Sequence, residues 1–429
     1  MPPLRIAIAG LGTVGSATLR LLKENADVVA ARAGKPVTVT AVSAKDKAKC
    51  RKSDLEGIRL VDDPRELAAL KDIDVVVELI GGAEGIAREV CEKALQNGKH
   101  VVTANKALLA THGLALAQLA EKNGKRLIFE AAVAGGIPIV KTMREGLAGN
   151  KVRAIQGILN GTCNYILTRM FEAKLDFSSA LKEAQDKGYA EADPSMDIDG
   201  FDTAHKLTLL AALAFGTMPD LASVSVGGLR RLMPIDLQFA AELDCRIKLL
   251  GVARLTEQGL EQRVGPCLVP LASPLAKIDD VLNAVLVQGD AVGELTLSGR
   301  GAGGGPTSSA VVADIIDLAR AGNGLPFGVP AEQLRPLPVA PAEARVSGWY
   351  IRLQVTDKPG VVADVSAILR DEKISIESML QHGRSRTDSV SVIITTHAIG
   401  EAAMRRAIQK IAKLDSVQEE PCWLRIENT

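Results

Sequence analysis

Histidine is almost missing from this chain: there are five in 429 residues. So few imidazoles leave little material for a histidine-built metal site. The chain also lacks any C-x-x-C pair. Its six cysteines, Cys50, Cys91, Cys163, Cys245, Cys267 and Cys422, are scattered and read as free thiols of a cytosolic protein. Net charge is absent as well, with 51 basic and 51 acidic residues. No basic block, aromatic platform or zinc-finger spacing points to nucleic acid. No apolar run of membrane-spanning length escapes a charge or a Gly/Pro break, so a membrane role is not expected. The opening MPPLR runs directly into a strand-like segment, without the pattern of a secretory leader. What remains is a chain 47% hydrophobic and 24% charged, an ordinary globular composition long enough for two or three domains.

Two apolar segments frame the first glycine signature. LRIAIAG reads as a buried strand and VGSATLRLLKENA as a helix, with Gly10, Leu11, Gly12, Thr13, Val14 and Gly15 between them. G-x-G-x-x-G between a strand and a helix lets backbone approach a pyrophosphate at the helix N-terminus. The next strand, Val37 to Val42, is followed by Ser43, Ala44 and Lys45, with Lys47 and Lys49 close behind. Lysines there suit the extra phosphate of NADP, whereas Asp46 suits the ribose hydroxyls of NAD, and both cofactors stay open. A third strand is expected at Ile73 to Gly82, a helix from Glu84 to Asn97, and a further strand in KHVVTANK ending at Lys106. Ligands of doubly wound sheets sit at the carboxyl ends of strands, so Thr103, Ala104, Asn105 and Lys106 are candidates to face nicotinamide and substrate. Glu130 ends a later strand beside the small-residue turn Ala131 to Gly136, a carboxylate next to free carbonyls that suits a hard cation such as sodium.

The boundaries expected from this pattern place a dinucleotide-binding domain at residues 1–137, rejoined by a helix at about 304–324. Residues 138–303 form an α+β substrate and dimerisation domain with a mostly antiparallel sheet. Its strands are expected at VRAIQGIL, RIKLLGVARL, EQRVGPCLVP and GELTLSGRG, and the turn Asn160, Gly161, Thr162 precedes a helix and suits an anion. Residues 325–347, rich in Pro and Ala, read as a linker. Residues 348–429 follow the order β-α-β-β-α-β, a ferredoxin-like unit whose sheet edge a partner subunit would cover. His382 and Arg384 in it read as surface residues.

The most informative stretch is GYAEADPSMDIDGFDTAHK, from Gly188 to Lys206. Pro194 and Gly200 mark its first part as a loop; FDTAHKLTLLAALAF after it is a breaker-free helix. Asp202 and Lys206 are four apart and share a face. Charges in an apolar segment call for a partner or a purpose. The arrangement reads as a pocket for a positively charged small molecule with a lysine placed to move a proton, against the plainer reading of a surface ion pair and a solvated loop. Asp202 is suited either to orient Lys206 or to bind an ammonium group, and His205 sits one residue off their face. Glu183, Asp186, Asp193, Asp197 and Asp199 shape the pocket or cap the loop.

IAGLGTVG, TANKALLA, FEAAVAGGIPI, GILNGTCNYIL and GYAEADPSMDIDGFDTAHKL, in that order, resemble homoserine dehydrogenase of the longer single-function bacterial type, across essentially the whole chain. The C-terminal unit, opening DKPGVVADVSAIL, resembles an ACT regulatory domain, and nothing resembles the kinase domain of bifunctional relatives. The resemblance implies NAD(P)-dependent interconversion of L-homoserine and L-aspartate 4-semialdehyde in a cytoplasmic homodimer or homotetramer, on the route to threonine, methionine and isoleucine. It implies Lys206 as acid–base residue, with Lys106 near both ligands. It places Glu191 and Asp202 on the substrate and Gly188 and Gly303 on the cofactor, and the acidic loop itself adds Asp197 as a substrate candidate. It also implies a structural sodium ion held by Glu130 and the carbonyls of Val133, Gly135 and Ile137. For the C-terminal unit an L-threonine-sensing domain and a pure dimerisation module remain open. Another Rossmann dehydrogenase, or a nucleotide-binding sensor without turnover, is the rival for the whole.

Overall fold

The computed structural model describes residues 2–46, 55–320, 322, 324–341, 345–381 and 389–427. The chain folds into two compact units that interleave along the sequence. One comprises Met1–Gly161, Asp202–Val224 and Val281–Leu337; the other comprises Thr162–Phe201, Ser225–Asp280 and Pro338–Thr429.

The first unit is built on a six-stranded parallel sheet in the spatial order Arg59–Val61, Val37–Ser43, Leu4–Ala9, Val75–Glu78, His100–Thr103, Leu127–Ile128. This is the doubly wound order. A parallel sheet is covered on both faces, which is why its strands read as unbroken apolar runs. Ile6, Ala7, Ile8, Val75, Val76 and Val77 are fully buried. Helix Gly304–Ala319 contributes Val311 and Ile315 to the core that holds Ile6, Ile8, Leu19 and Leu22. The same unit carries the antiparallel strands Val152–Ile158, Leu282–Gly289 and Gly293–Arg300 and most of helix Phe201–Phe215. Leu282–Gly289 was not among the expected strands.

In the second unit, Cys245–Thr256 and Gly259–Pro270 form a long antiparallel hairpin. Residues 346–426 follow in the order Val346–Thr356, Val361–Asp371, Ile376–Gln381, Ser389–Gly400, Glu401–Ile411, Cys422–Ile426, the expected ferredoxin-like βαββαβ arrangement. Strand Cys422–Ile426 lies between two neighbours. It pairs antiparallel with Val346–Thr356 and parallel with Cys267 and Leu268 of the hairpin. That edge of the ferredoxin-like sheet is thus covered by the same chain.

Of the stretch expected as a linker, residues 325–341 pack against the rest of the chain. Phe327 is buried, with its ring 5.4 Å from that of Phe129. Leu260 N–H donates to the Pro338 carbonyl at 2.7 Å, and Ala340 N–H donates to the Leu260 carbonyl at 3.0 Å. Cys91, Cys163, Cys245, Cys267 and Cys422 are buried and form no disulfide among the described residues, while Cys50 lies outside them. Among the described residues no helix is long and apolar enough to cross a membrane.

Candidate active site

The first glycine loop is shaped by contacts that admit no side chain. A Cβ on Gly15 would sit 1.9 Å from the Gly10 carbonyl oxygen, and one on Gly10 (φ 100°) would sit 2.8 Å from the Leu79 oxygen. Gly12 faces open space. Helix Thr13–Glu24 has no acidic residue in its first turn. An open glycine at the positive end of a helix fits a pyrophosphate. Gly303 (φ 111°) precedes helix Gly304–Ala319, and a Cβ on Gly304 would lie 3.3 Å from the Thr13 oxygen, so the two glycine loops meet. Lys45 and Asp46 are exposed beyond strand Val37–Ser43; Lys47 and Lys49 lie outside the described residues. Gly15→Ala is expected to weaken dinucleotide binding by about tenfold or more, or about 1.4 kcal/mol, because the clash is with backbone. Fluorescence titration with NADPH checks this.

At the carboxyl ends of the next strands the sequence misplaced two boundaries: the strand expected to reach Gly82 ends at Glu78. The strand expected to reach Lys106 ends at Thr103, and Lys106 opens helix Lys106–Lys122. Asn105 caps that helix, accepting from Leu108 N–H at 3.1 Å. Its amide donates to the Gly82 carbonyl at 2.7 Å. Thr103 donates its hydroxyl proton to Glu78 at 2.6 Å instead of presenting it to a ligand. Glu78, fully buried, also accepts from Ile80 and Gly81 N–H at 2.8 and 3.0 Å. Sequence reading passed over Glu78. An acid closing an apolar strand, followed by Gly81-Gly82, was the available signal.

Capping at Asn105 puts Lys106 on the first helical turn, where its Nζ lies 3.0 Å from Asp202 Oδ1. Asp202 and Lys206 lie one turn apart on helix Phe201–Phe215, as their spacing required, with Lys206 Nζ donating to Asp202 Oδ2 at 2.7 Å. Lys206 Nζ also donates to the Leu159 carbonyl at 2.7 Å. Asn160 Nδ2 donates to Asp202 Oδ2 at 2.8 Å. Burial alone would raise the Asp202 carboxyl. The charges of Lys206 and Lys106 outweigh it, the hydrogen bonds from Lys206 and Asn160 add to them, and the group is held well below the usual carboxylate range. An ionised Asp202 therefore collects two lysines and an amide, in a site where it is only 6% exposed. The Lys106 side chain is 38% exposed, so the cluster has a wet side. His205 is half-buried, its Nδ1 has no partner among the described residues, and burial lowers its pKa.

The remaining substrate candidates belong to the second unit. Glu191 is exposed, and Asp197 lies on the short helix Ser195–Ile198. Thr162 is not free as an anion donor: its hydroxyl donates to the Tyr189 carbonyl at 2.7 Å, just as the Asn160 side chain is committed to Asp202. Gly188 has φ 73° at the end of helix Phe177–Asp186. Asp199 forms a two-pronged pair with Arg230 at 2.6 and 2.9 Å, and Asp193 accepts from Ser195 N–H at 3.1 Å. Glu183 gathers Lys187, Tyr165 and Arg169, whose hydrogen bonds hold it down at about 2, and Asp186 pairs with Lys182. These four serve the structure of the loop. His382 and Arg384 lie outside the described residues.

Glu130 is buried, and its carboxylate accepts Val140 and Lys141 N–H at 2.9 and 2.7 Å. Its own N–H donates to buried Asp314 at 2.9 Å. Burial lifts Glu130 to about 7 against those hydrogen bonds, and lifts Asp314 well above its ordinary value. Ala134 and Gly135 are consecutive left-handed residues, with φ 53° and 50°. Two buried carboxyls beside such a turn fit a cation that supplies the missing charge. Among the described residues no cluster of three or more His, Cys, Asp or Glu could hold a metal, so carbonyls would have to complete this set.

Asn283, also unforeseen, is buried with both ends of its amide unpartnered among the described residues. It leaves no room for a Cβ on Gly301, which would come within 2.0 Å of its Nδ2.

Comparison with known proteins gives one answer along the whole chain. The family model for the NAD-binding domain of homoserine dehydrogenase matches residues 10–130, the homoserine dehydrogenase model matches residues 138–316, and the ACT domain model matches residues 349–415. A curated homoserine dehydrogenase of Neisseria gonorrhoeae is 44% identical over 100% of this chain and 99% of its own. One of Bacillus subtilis is 36% identical over 100% and 99%. Among solved structures, a homoserine dehydrogenase of Thiobacillus denitrificans superposes with TM-score 0.94 at 43% identity, covering 100% of this chain and 99% of that one. A hyperthermophilic archaeal homoserine dehydrogenase solved in complex with NADPH has TM-score 0.65 at 27% identity, covering 76% and 100%. The fold agrees with these matches: the chain is an NAD(P)-dependent oxidoreductase and belongs to the homoserine dehydrogenase family.

Proposed function

We propose that Lys206 is the acid–base residue in the interconversion of L-homoserine and L-aspartate 4-semialdehyde, and that Asp202 and Lys106 hold it for that work. The observation that carries this reading is the single buried carboxylate, Asp202, shared by both lysines at 2.7 and 3.0 Å. When bound, the nicotinamide supplies or accepts the hydride. The protein has to manage the charge that develops on the substrate oxygen. An ammonium group has three N–H donors. Two point at Asp202 and the Leu159 carbonyl, which fixes the direction of the third. That third donor is the one we assign to the substrate oxygen, giving its proton as the aldehyde is reduced and recovering it in the reverse direction. Lys106 adds a second positive charge, and Asp202 keeps both side chains in place.

We assign recognition of the substrate ammonium to Glu191 and Asp197, since a carboxylate facing an ammonium makes a strong charge-assisted hydrogen bond. We assign the substrate carboxylate to the backbone of Gly161 and Thr162, at the start of helix Gly161–Glu172. The pyrophosphate falls to Gly10 to Gly15, with the Thr103 backbone, Gly188 and Gly303 also on the cofactor and Lys45 favouring NADP. The Glu130 carboxylate with the carbonyls of Val133, Gly135 and Ile137 is the proposed sodium site. The ACT domain implies an amino-acid effector, and we take L-threonine as that effector. Assembly as a homodimer or homotetramer in the cytoplasm completes the proposal.

Absorbance at 340 nm with L-homoserine tests most of this at once. Reduction is expected with both nucleotides, faster with NADP, and slower when L-threonine is added. A flat trace in both reaction directions from folded protein overturns the assignment. Replacing sodium by a large organic cation is expected to lower Tm, and Glu130→Gln to abolish that difference.

A further inference from the structure

We propose that a cavity at the amino-terminal end of the parallel sheet binds a small polyanion carrying carboxylate or phosphate oxygens. The cavity has a volume of about 500 Å³ and is lined by Arg126, Arg144, Lys141, Arg320, Glu145 and Asp317 together with glycine backbone. That volume is in the range of small-molecule sites. Arg126 immediately precedes strand Leu127–Ile128, and Asp317 and Arg320 stand at the C-terminal end of helix Gly304–Ala319. The N-terminal end of that helix is the glycine loop beside Thr13. At 1.5 Å per residue a helix of this length spans roughly 24 Å, so this cavity is separate from the dinucleotide loops.

Charge is unbalanced here, with four cations against two carboxylates among the described lining residues. Both carboxylates are already engaged. Asp317 receives Lys141 Nζ at 2.5 Å and lies 3.8 Å from Arg320; Glu145 is 3.1 Å from Arg144. Arg126 has no carboxylate within ion-pair distance among the described residues, and its Nη1 donates only to the Asp317 carbonyl at 3.3 Å. The Nε atoms of Arg126 and of Arg144 are both buried without an acceptor, and the Arg144 side chain is 5% exposed. Burial, and then the like charge of Arg144, push Arg126 below the usual guanidinium range. Arg126 also lies against bare backbone: a Cβ on Gly324 would come 2.9 Å from its Nη2. Two guanidinium groups lining one cavity, each with an unfilled Nε donor, suit an oxyanion that takes paired hydrogen bonds. An unpaired, half-buried cation is costly without such a ligand.

The test is calorimetric titration of the full-length enzyme saturated with NADP, at constant ionic strength, with inorganic phosphate in one arm and citrate in the other. Saturable binding in either arm, weakened about tenfold or more in Arg126→Gln, is the expected result, and the arm that responds names the anion class. Chloride at matched ionic strength should give no saturable signal. Thermal unfolding supplies the second readout. Without added anion, Arg126→Gln should match or exceed the wild-type Tm, because a like-charge contact is removed. With anion, only the wild type should gain. A Tm lowered in the variant without anion would make Arg126 a structural residue. Unchanged affinity in the variant, or no saturable binding in either arm, would equally overturn the proposal.

Discussion

Lys206→Ala is expected to lower kcat by about a thousandfold, the middle of the range for loss of a general acid–base group, while NADPH affinity stays within about twofold. The separation follows from where the side chain sits. Its two fixed bonds go to Asp202 and to the Leu159 carbonyl, not to the glycine loops. Stopped-flow turnover together with fluorescence titration measures both quantities, and a collapse of cofactor binding would remove Lys206 from the chemistry. Asp202→Asn is expected to fall between, since it keeps the shape and loses the charge that gathers both lysines. Acid stability gives a further check. Asp202 has a depressed folded-state pKa, so its contribution is complete above the unfolded value near 3.9 and is lost as pH falls through the lower folded value. In Asp202→Asn that acid-dependent loss should disappear from the unfolding profile.

Arg263→Met is expected to cost about 3–5 kcal/mol of unfolding free energy. Arg263 is buried, donates through Nε to Glu261 at 2.9 Å and pairs with Glu427 through Nη2. Methionine fills similar space but leaves two carboxylates buried without their cation. Burial by itself raises Glu261, and the Arg263 charge turns the balance so that the group is held below its ordinary value. Its stabilisation is therefore present above the normal carboxylate range and fades as pH drops below it. The gap between wild type and variant should hold from pH 7 to about pH 4.3 and narrow as pH falls below that in urea unfolding. A gap that stays constant would mean that packing, not charge, holds this junction together.

Local rules made part of this molecule legible. Helix Phe201–Phe215 was readable to the residue because fifteen Ala- and Leu-rich positions run without a breaker, and the four-residue spacing of Asp202 and Lys206 already required a shared face. The parallel strands were readable because both faces are buried. What escaped depends on distant partners. Lys106 reaches Asp202 only through the capping at Asn105, which periodicity does not show. Leu282–Gly289 is a Val- and Leu-rich run whose state is decided by Val152–Ile158 and Gly293–Arg300 on either side. The Pro-rich stretch lacks a period, yet Phe327 within it packs its buried ring against Phe129.

The placement of strand Cys422–Ile426 between Gly259–Pro270 and Val346–Thr356 has a consequence for biosynthesis. A ribosome delivers both flanking strands well before the one that joins them. Until residues 422–426 emerge, the 267–268 edge of one strand and the 348–352 edge of the other present unpaired backbone N–H and C=O groups to solvent. Open edges are where nascent chains aggregate. The effector-binding unit therefore cannot close as an independent module while translation is in progress, and a chain stalled ahead of Cys422 should be a client for chaperones.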